Sequence, residues 1–436
     1  MPDSAATMPA TNWRCQMAWT LLLLSVLNWG ESGSPFALAP AQEQAGTILV
    51  TFVAFSLAVQ ANPTLSVARS PCLLLAFVLV AASTMPGALG MASLNSLLMS
   101  VRFGLIVLTI ALLSPIVTRD PTAVLRTHLW VHGAIAFCLL AGGVLAPGLA
   151  FHPGTRRLIG LLPPMHPSQV GAVAAVTVGL ALLALVVDKI SKRLGLLVIA
   201  VSMTVLIQSR SRTAVLGTLL GLLVSLTALA FRRRRARKLL AVLICLTAAA
   251  WLVAAPLFVS WFARGQSHAQ LQSISGRRAT WIAMLEERPS GVTEWLGIGL
   301  SDKRYKGKPI DGGWMAAYWE QGLLGVGIVA ALVLVAAWQA IGSRDDLLRA
   351  AALFLVVFVT LSANSETGIS NISMYFLSLM LAGLLVARSS SVIQGNQHAN
   401  RRRPQPLPHG QPQWREPGGG PRDRAPARRR SRGGRL

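Results

Sequence analysis

Charge is what this chain has least of. Only 13% of its 436 residues are charged, and just 16 are acidic. A soluble domain usually carries about a quarter, so an ordinary water-soluble fold is excluded. Cysteine is also sparse. Cys15, Cys72, Cys138 and Cys245 each fall in or beside an apolar run, and no CxxC or Cys/His spacing is present. That leaves no basis for a disulfide framework or a zinc site. Short alternating strands, the mark of a membrane barrel, are missing too. The first apolar run ends in Asn28-Trp29-Gly30-Glu31 without a clear small-residue cleavage site. It reads as a retained helix and not as a signal peptide.

What is abundant is apolar sequence, at 53%. It comes in runs of about 15 to 25 residues, the length that crosses about 30 Å of hydrocarbon. The expected fold is an all-α, polytopic transmembrane helical bundle of about twelve spans. They fall near 13–29, 44–61, 71–86, 96–117, 128–149, 168–187, 194–208, 212–231, 239–261, 321–341, 349–363 and 372–388. Residues 1–12 form a disordered N-terminus, 13–261 carry spans one to nine, and 262–320 form one large loop. Residues 321–388 carry spans ten to twelve. The Pro-, Gly- and Arg-rich tail 389–436 has too few apolar residues to fold.

The net charge of +24 suggests nucleic acid at first sight. Its placement argues against that. Twelve of the forty basic residues lie from Arg388 onward, and six more form Arg232-Arg233-Arg234-Arg235-Ala236-Arg237-Lys238 between two apolar runs. The tail lacks the interleaved aromatics on which single strands stack. Both clusters fit cytoplasmic segments under the positive-inside rule and face membrane lipids. Anchoring the 232–238 block inside puts both termini inside and the 262–320 loop outside. Arg69, Arg119, Arg126, Lys189, Lys192, Arg193, Arg344 and Arg349 then all fall inside.

The exceptions to that rule are informative. Arg156, Arg157, Arg210, Arg212, Arg264, Arg277 and Arg278 fall outside, and Arg102 falls in the outer third of a span. Arginine near membrane depth is costly and is kept for a reason. Snorkelling to lipid phosphate explains any one of them. A group on one face suits a phosphate or pyrophosphate ligand, bound through paired hydrogen bonds. Other residues keep two readings: Asp311 as a helix cap or a base, His166 before Pro167 as a turn residue or a substrate contact. Trp314, Tyr318 and Trp319 read as a sugar platform or an interfacial belt. His128 and His132, on one helical face, read as packed side chains.

Several short motifs resemble the O-antigen ligase and Wzy-type polysaccharide polymerase superfamily. Ser275-Gly276-Arg277 with Trp281 resembles the opening of that family's large loop, and Leu296-Gly297-Ile298-Gly299 its central turn. Asp311-Gly312, nine residues, then Gly322-Leu323-Leu324-Gly325 keeps the spacing of the ligases' His-Asn and Gly-x-x-Gly. Upstream, Arg157-Leu158-Ile159-Gly160 with His166-Pro167-Ser168, and Gln208-Ser209-Arg210-Ser211-Arg212, resemble further family stretches. Aspartate stands where the ligases carry histidine, which favours the polymerase branch.

The resemblance implies a GT-C-like membrane glycosyltransferase in a bacterial inner membrane with its active face periplasmic. It would polymerise polyprenyl-diphosphate-linked oligosaccharide units into surface or exopolysaccharide with inversion. A ligase acting on a lipid or protein acceptor and a lipid-linked glycan transporter are the alternatives. Asp311, then Glu320, are the expected bases that take the acceptor's proton. Arg157, Arg210 and Arg277 are expected to hold the diphosphate, with Arg212, Arg278, Arg264 and Arg102 in reserve. Trp314, Tyr318, Trp319 and His166 are the expected glycan contacts. No cofactor is implied, and dependence on a divalent metal stays open. The implied partners are the lipid-linked donor and acceptor, membrane lipids, and chain-length-regulating or export proteins.

Overall fold

A computed structural model describes residues 11–27, 29, 38–263, 277–287, 291–300 and 304–387. Arg264, Ser275, Gly276 and the 389–436 tail lie outside the described residues. The described chain is all-α but for one two-stranded hairpin. The helices are α1 (Thr11–Ser25), α2 (Pro40–Ala61), α3 (Pro71–Ala88), α4 (Leu94–Arg119), α5 (Pro121–Leu145) and α6 (Pro147–Ala150). They continue as α7 (Pro167–Val186), α8 (Lys192–Ser209), α9 (Arg212–Ala230) and α10 (Arg234–Ala263). The loop region contributes α11 (Arg277–Glu286), α12 (Val292–Leu296) and strands β1 (Arg304–Tyr305) and β2 (Lys308–Pro309). The chain then forms α13 (Gly313–Gly342), α14 (Asp346–Ser362) and α15 (Met374–Val386).

Each expected apolar interval coincides with a helix. Eight of them, α2 to α5, α7 to α9 and α13, are long and apolar enough to cross a membrane. Their lengths of 18 to 30 residues correspond to about 27–45 Å at 1.5 Å per residue. Helices α1, α14 and α15 are shorter, at 15, 17 and 13 residues.

Helix α7 lies at the centre, buried along almost its whole length. Small residues let α9 and α14 close on each other and on α7. A Cβ on Gly217 would stand 2.9 Å from the Phe358 ring, and one on Gly221 2.8 Å from the Phe354 ring. Gly179 of α7 is tighter still, at 2.0 Å from Phe354. In hydrocarbon such close packing is a main force between helices, since lipid is as apolar as leucine. The consequence is positional. The start of α9 and the end of α14 are clamped together beside the start of α7.

The span expected at 128–149 begins at Pro121 and ends at Leu145, and a second boundary differs by more. The span expected at 321–341 begins eight residues earlier, because Gly313–Gln321 is already helical. This helix breaks at Gly322, where φ is +65° and ψ is −165°. That conformation is open to glycine alone. The break costs helical hydrogen bonds, and the central turn of the loop region replaces them. Ile298 N–H donates to the Trp319 carbonyl at 3.1 Å, and Gly299 N–H to the Glu320 carbonyl at 2.9 Å. A Cβ on Gly322 would meet the Trp295 carbonyl at 2.3 Å, and one on Gly297 the Gln321 nitrogen at 2.4 Å. The two glycine segments are therefore a matched pair.

Candidate functional site

Five segments meet at the end of the bundle where α7 and α9 begin. The first is the start of α7. His166 is its N-cap, and its Nδ1 lies 2.6 Å from the Ser168 hydroxyl. This fits the turn reading of His166, and its ring keeps an exposed edge. The second is the loop before α7. Leu158 N–H donates to the Gln208 carbonyl at 3.1 Å, and Arg157 Nε donates to the Ser209 carbonyl at 2.9 Å. The third is the α8–α9 corner itself. There Arg210 adopts a left-handed conformation, φ +50°, that ends α8. Helix α9 starts two residues later at Arg212, with no side-chain cap.

The fourth segment combines α11 with the stretch before α13. Arg277 and Trp281, one turn apart on α11, grip one residue from two sides. Arg277 Nε donates to the Asp311 carboxylate at 3.0 Å, and Trp281 Nε1 to the Asp311 carbonyl at 2.8 Å. Asp311 is thus not the cap of α13. Gly312 holds that position, again with no side-chain cap. The fifth segment follows α14. Gly313 N–H donates to the Ala363 carbonyl at 2.6 Å, which ties the Asp311 segment to it. The Thr213 and Ser365 hydroxyls are 2.5 Å apart, and Ser168 hydrogen-bonds the Glu366 carboxyl.

The electrostatics follow from this convergence. Burial pushes the Glu366 carboxyl up to about 7; Ser168, Arg277 and Arg157 oppose that rise, and Asp311 adds to it. His166 is lowered by the packed surround first and by Arg157 second, while Asp311 acts the other way. Arg212 lies near enough to Arg277 for the two cations to repel. Three arginines, one paired carboxylate and one carboxyl that titrates near neutral pH share the site. The uncapped starts of α9 and α13 add partial positive charge. Such an arrangement can bind a multiply charged anion and hold a titratable base beside it.

Of the expected site residues, Arg157, Arg212, Arg277, Asp311 and His166 come together here. Arg210 stands at the margin, exposed, with Nη1 3.5 Å from the Thr155 carbonyl. Arg278 is exposed on α11. Arg102 is held elsewhere: its Nη2 donates to the Ser25 carbonyl at 2.5 Å, and Glu43 is its nearby acid. Glu320 is fully buried and accepts from Asn371 Nδ2 at 3.0 Å, an arrangement that braces the broken helix. Trp319 packs edge-on against Tyr305, with ring centroids 5.0 Å apart, and Trp314 packs against the main core. Tyr318 is half-buried. His128 is buried against Trp19 and His132 against His128, the packed role expected of them.

Glu366 was missed by sequence reasoning, and so were its partner Ser168 and the neighbouring Thr213–Ser365 hydroxyl pair. The available signal was weak: one acid in the polar interval Asn364–Asn371, on the same side as the out-of-place arginines. Compared with known proteins, the chain matches no family model and no curated protein.

Proposed function

We propose that this chain is a membrane glycosyltransferase that extends a glycan carried on a polyprenyl diphosphate. One observation carries the reading: Arg157 and Arg277, with Arg212 beside Arg277, gather from three segments around Asp311 and Glu366 at one end of a bundle of membrane-length helices. The sugar and the lipid carrier come from the motif resemblance. The charge pattern requires only an anion of the diphosphate kind and a proton acceptor.

In the proposed reaction the acceptor hydroxyl attacks the anomeric carbon. The new C–O bond forms as the bond to the diphosphate oxygen breaks, and the anomeric configuration inverts. Glu366 takes the hydroxyl proton. Its acidity near neutral suits a base that must be charged and still basic. Asp311, expected from sequence as the base, is instead engaged by Arg277 and holds that guanidinium in place. The arginines take up the charge that develops on the leaving diphosphate.

The broken helix at Gly322 is the one observation favouring a transporter, since discontinuous helices line many transport sites. Here the break is filled by Ile298 and Gly299. Purified protein incubated with a polyprenyl-diphosphate oligosaccharide tests the proposal. A ladder of longer lipid-linked products is expected. Transfer only to a second acceptor gives the ligase, and movement across vesicles without any new bond gives the transporter.

A further inference from the structure

A second charged feature lies at the opposite end of α7. A cleft of about 360 Å³ opens between the end of α7, the start of α8 and the start of α10. This volume lies in the range of about 300–1,000 Å³ typical of ligand clefts. Its two halves differ in chemistry. Lys192, Arg235, Lys238 and Asp188 form one side, and Leu185, Val186, Leu196 and Leu239 the other. Arg235 Nη1 bonds both oxygens of Asp188, which fixes the guanidinium at the cleft. Neither lysine has an ion-pair partner among the described residues, so three cations face one carboxylate.

The apolar half points to the source of the anion. Leu196 is 60% exposed and its neighbour Leu197 61%, on a helix of membrane length. The cleft thus runs from a cationic rim onto a surface suited to hydrocarbon. Helix α7 separates it from the arginine–carboxylate cluster by about 30 Å, so it is not part of that site.

We infer that this cleft is a site for an anionic phospholipid, whose phosphate meets Lys192, Arg235 and Lys238 while its first acyl methylenes lie on Leu196 and Leu239. A free phosphate would use the cationic rim alone. Basic pockets between helices at a membrane face have the right field for such headgroups. The inference does not rest on the proposed glycosyl transfer.

Purified full-length protein, delipidated and then titrated with phosphatidylglycerol, phosphatidylcholine or inorganic phosphate, tests it by native mass spectrometry and thermal unfolding. Phosphatidylglycerol should stay bound and raise the unfolding temperature; the other two should not. The double variant Lys192→Glu/Lys238→Glu should lose at least about tenfold in phosphatidylglycerol affinity, and Arg126→Glu, at another exposed basic position, should not. If the double variant does not fold, Lys192→Gln/Lys238→Gln is read in the same way. Equal retention by double variant and wild type overturns the site. Equal stabilisation by phosphatidylcholine removes the headgroup's role, and stabilisation by inorganic phosphate alone removes the lipid.

Discussion

The two ends of the helical bundle are both rich in arginine, yet they treat it differently. At the end where α9 finishes, Arg232 and Arg233 reach Asp346 at 3.4 and 3.0 Å, and Arg349 joins the same carboxylate. The partners are close in space and belong to adjoining helix ends. Arg232 is 53% exposed, where ion pairs add little to stability. At the end where α9 begins, Arg157, Arg212 and Arg277 are drawn together from distant segments, although two of them repel. One of the two acids there is raised far enough to titrate near pH 7. The first arrangement neutralises its charges locally, with the two outer arginines in solvent. The second accepts like-charge repulsion and a buried carboxyl, and such costs are borne where a ligand repays them.

The largest expected effect breaks the unusual end. Arg277→Ala removes the cation that engages Asp311 and should cut product formation by about 100-fold or more, measured on protein that still inserts. Asp311→Asn leaves the geometry but loses the pairing, and a smaller loss is expected.

Glu366→Gln sharpens the comparison through pH. The wild-type carboxyl is raised from its ordinary value to about 7. In the fold its charged form is disfavoured, so its contribution to stability falls as pH rises from about 4.5 to 7 and is level above that. Activity should rise over the same approach to neutrality if Glu366 is the base. The variant should be nearly inactive and should lack the decline in unfolding temperature across that window. A variant with the wild-type pH–rate profile would remove Glu366 from the reaction.

Gly322→Ala tests the brace behind the site. It places a Cβ 2.3 Å from the Trp295 carbonyl in a left-handed conformation. A cost of about 3 kcal/mol is expected, seen as a lower midpoint in thermal unfolding. Arg232→Ala, at the ordinary end and 53% exposed, is the smallest: at most about 1 kcal/mol of stability with the rate of transfer unchanged.

Much of the fold was legible because membrane helices are written as long runs with few charges. The intervals around Val170 and Leu222 needed nothing else. The helical stretch Gly313–Gln321 was legible only as the short helix or turn that Asp311 would cap: it mixes Trp314, Tyr318 and Glu320 and follows Gly312, so it was placed in the loop and not joined to the span. Half of the site could be anticipated from arginines on the side the charge rule disfavours. Which of them meet could not. Arg102 lies on the same side but is captured by Ser25, a pairing set by which helices are neighbours. Glu366 had no signal of its own because its partner Ser168 and the cations Arg157 and Arg277 sit on other segments. Only the packing of Gly217 and Gly221 on Phe358 and Phe354 brings it to them.

The most direct measurement is the rate of glycosyl transfer from one defined polyprenyl-diphosphate donor by two double variants, one from each end. Arg157→Ala/Arg277→Ala should abolish transfer while donor-independent stability is kept, and Arg232→Ala/Arg233→Ala should retain the wild-type rate. Equal loss in both, or full activity in the first, would contradict the assignment of catalysis to the arginine–carboxylate end.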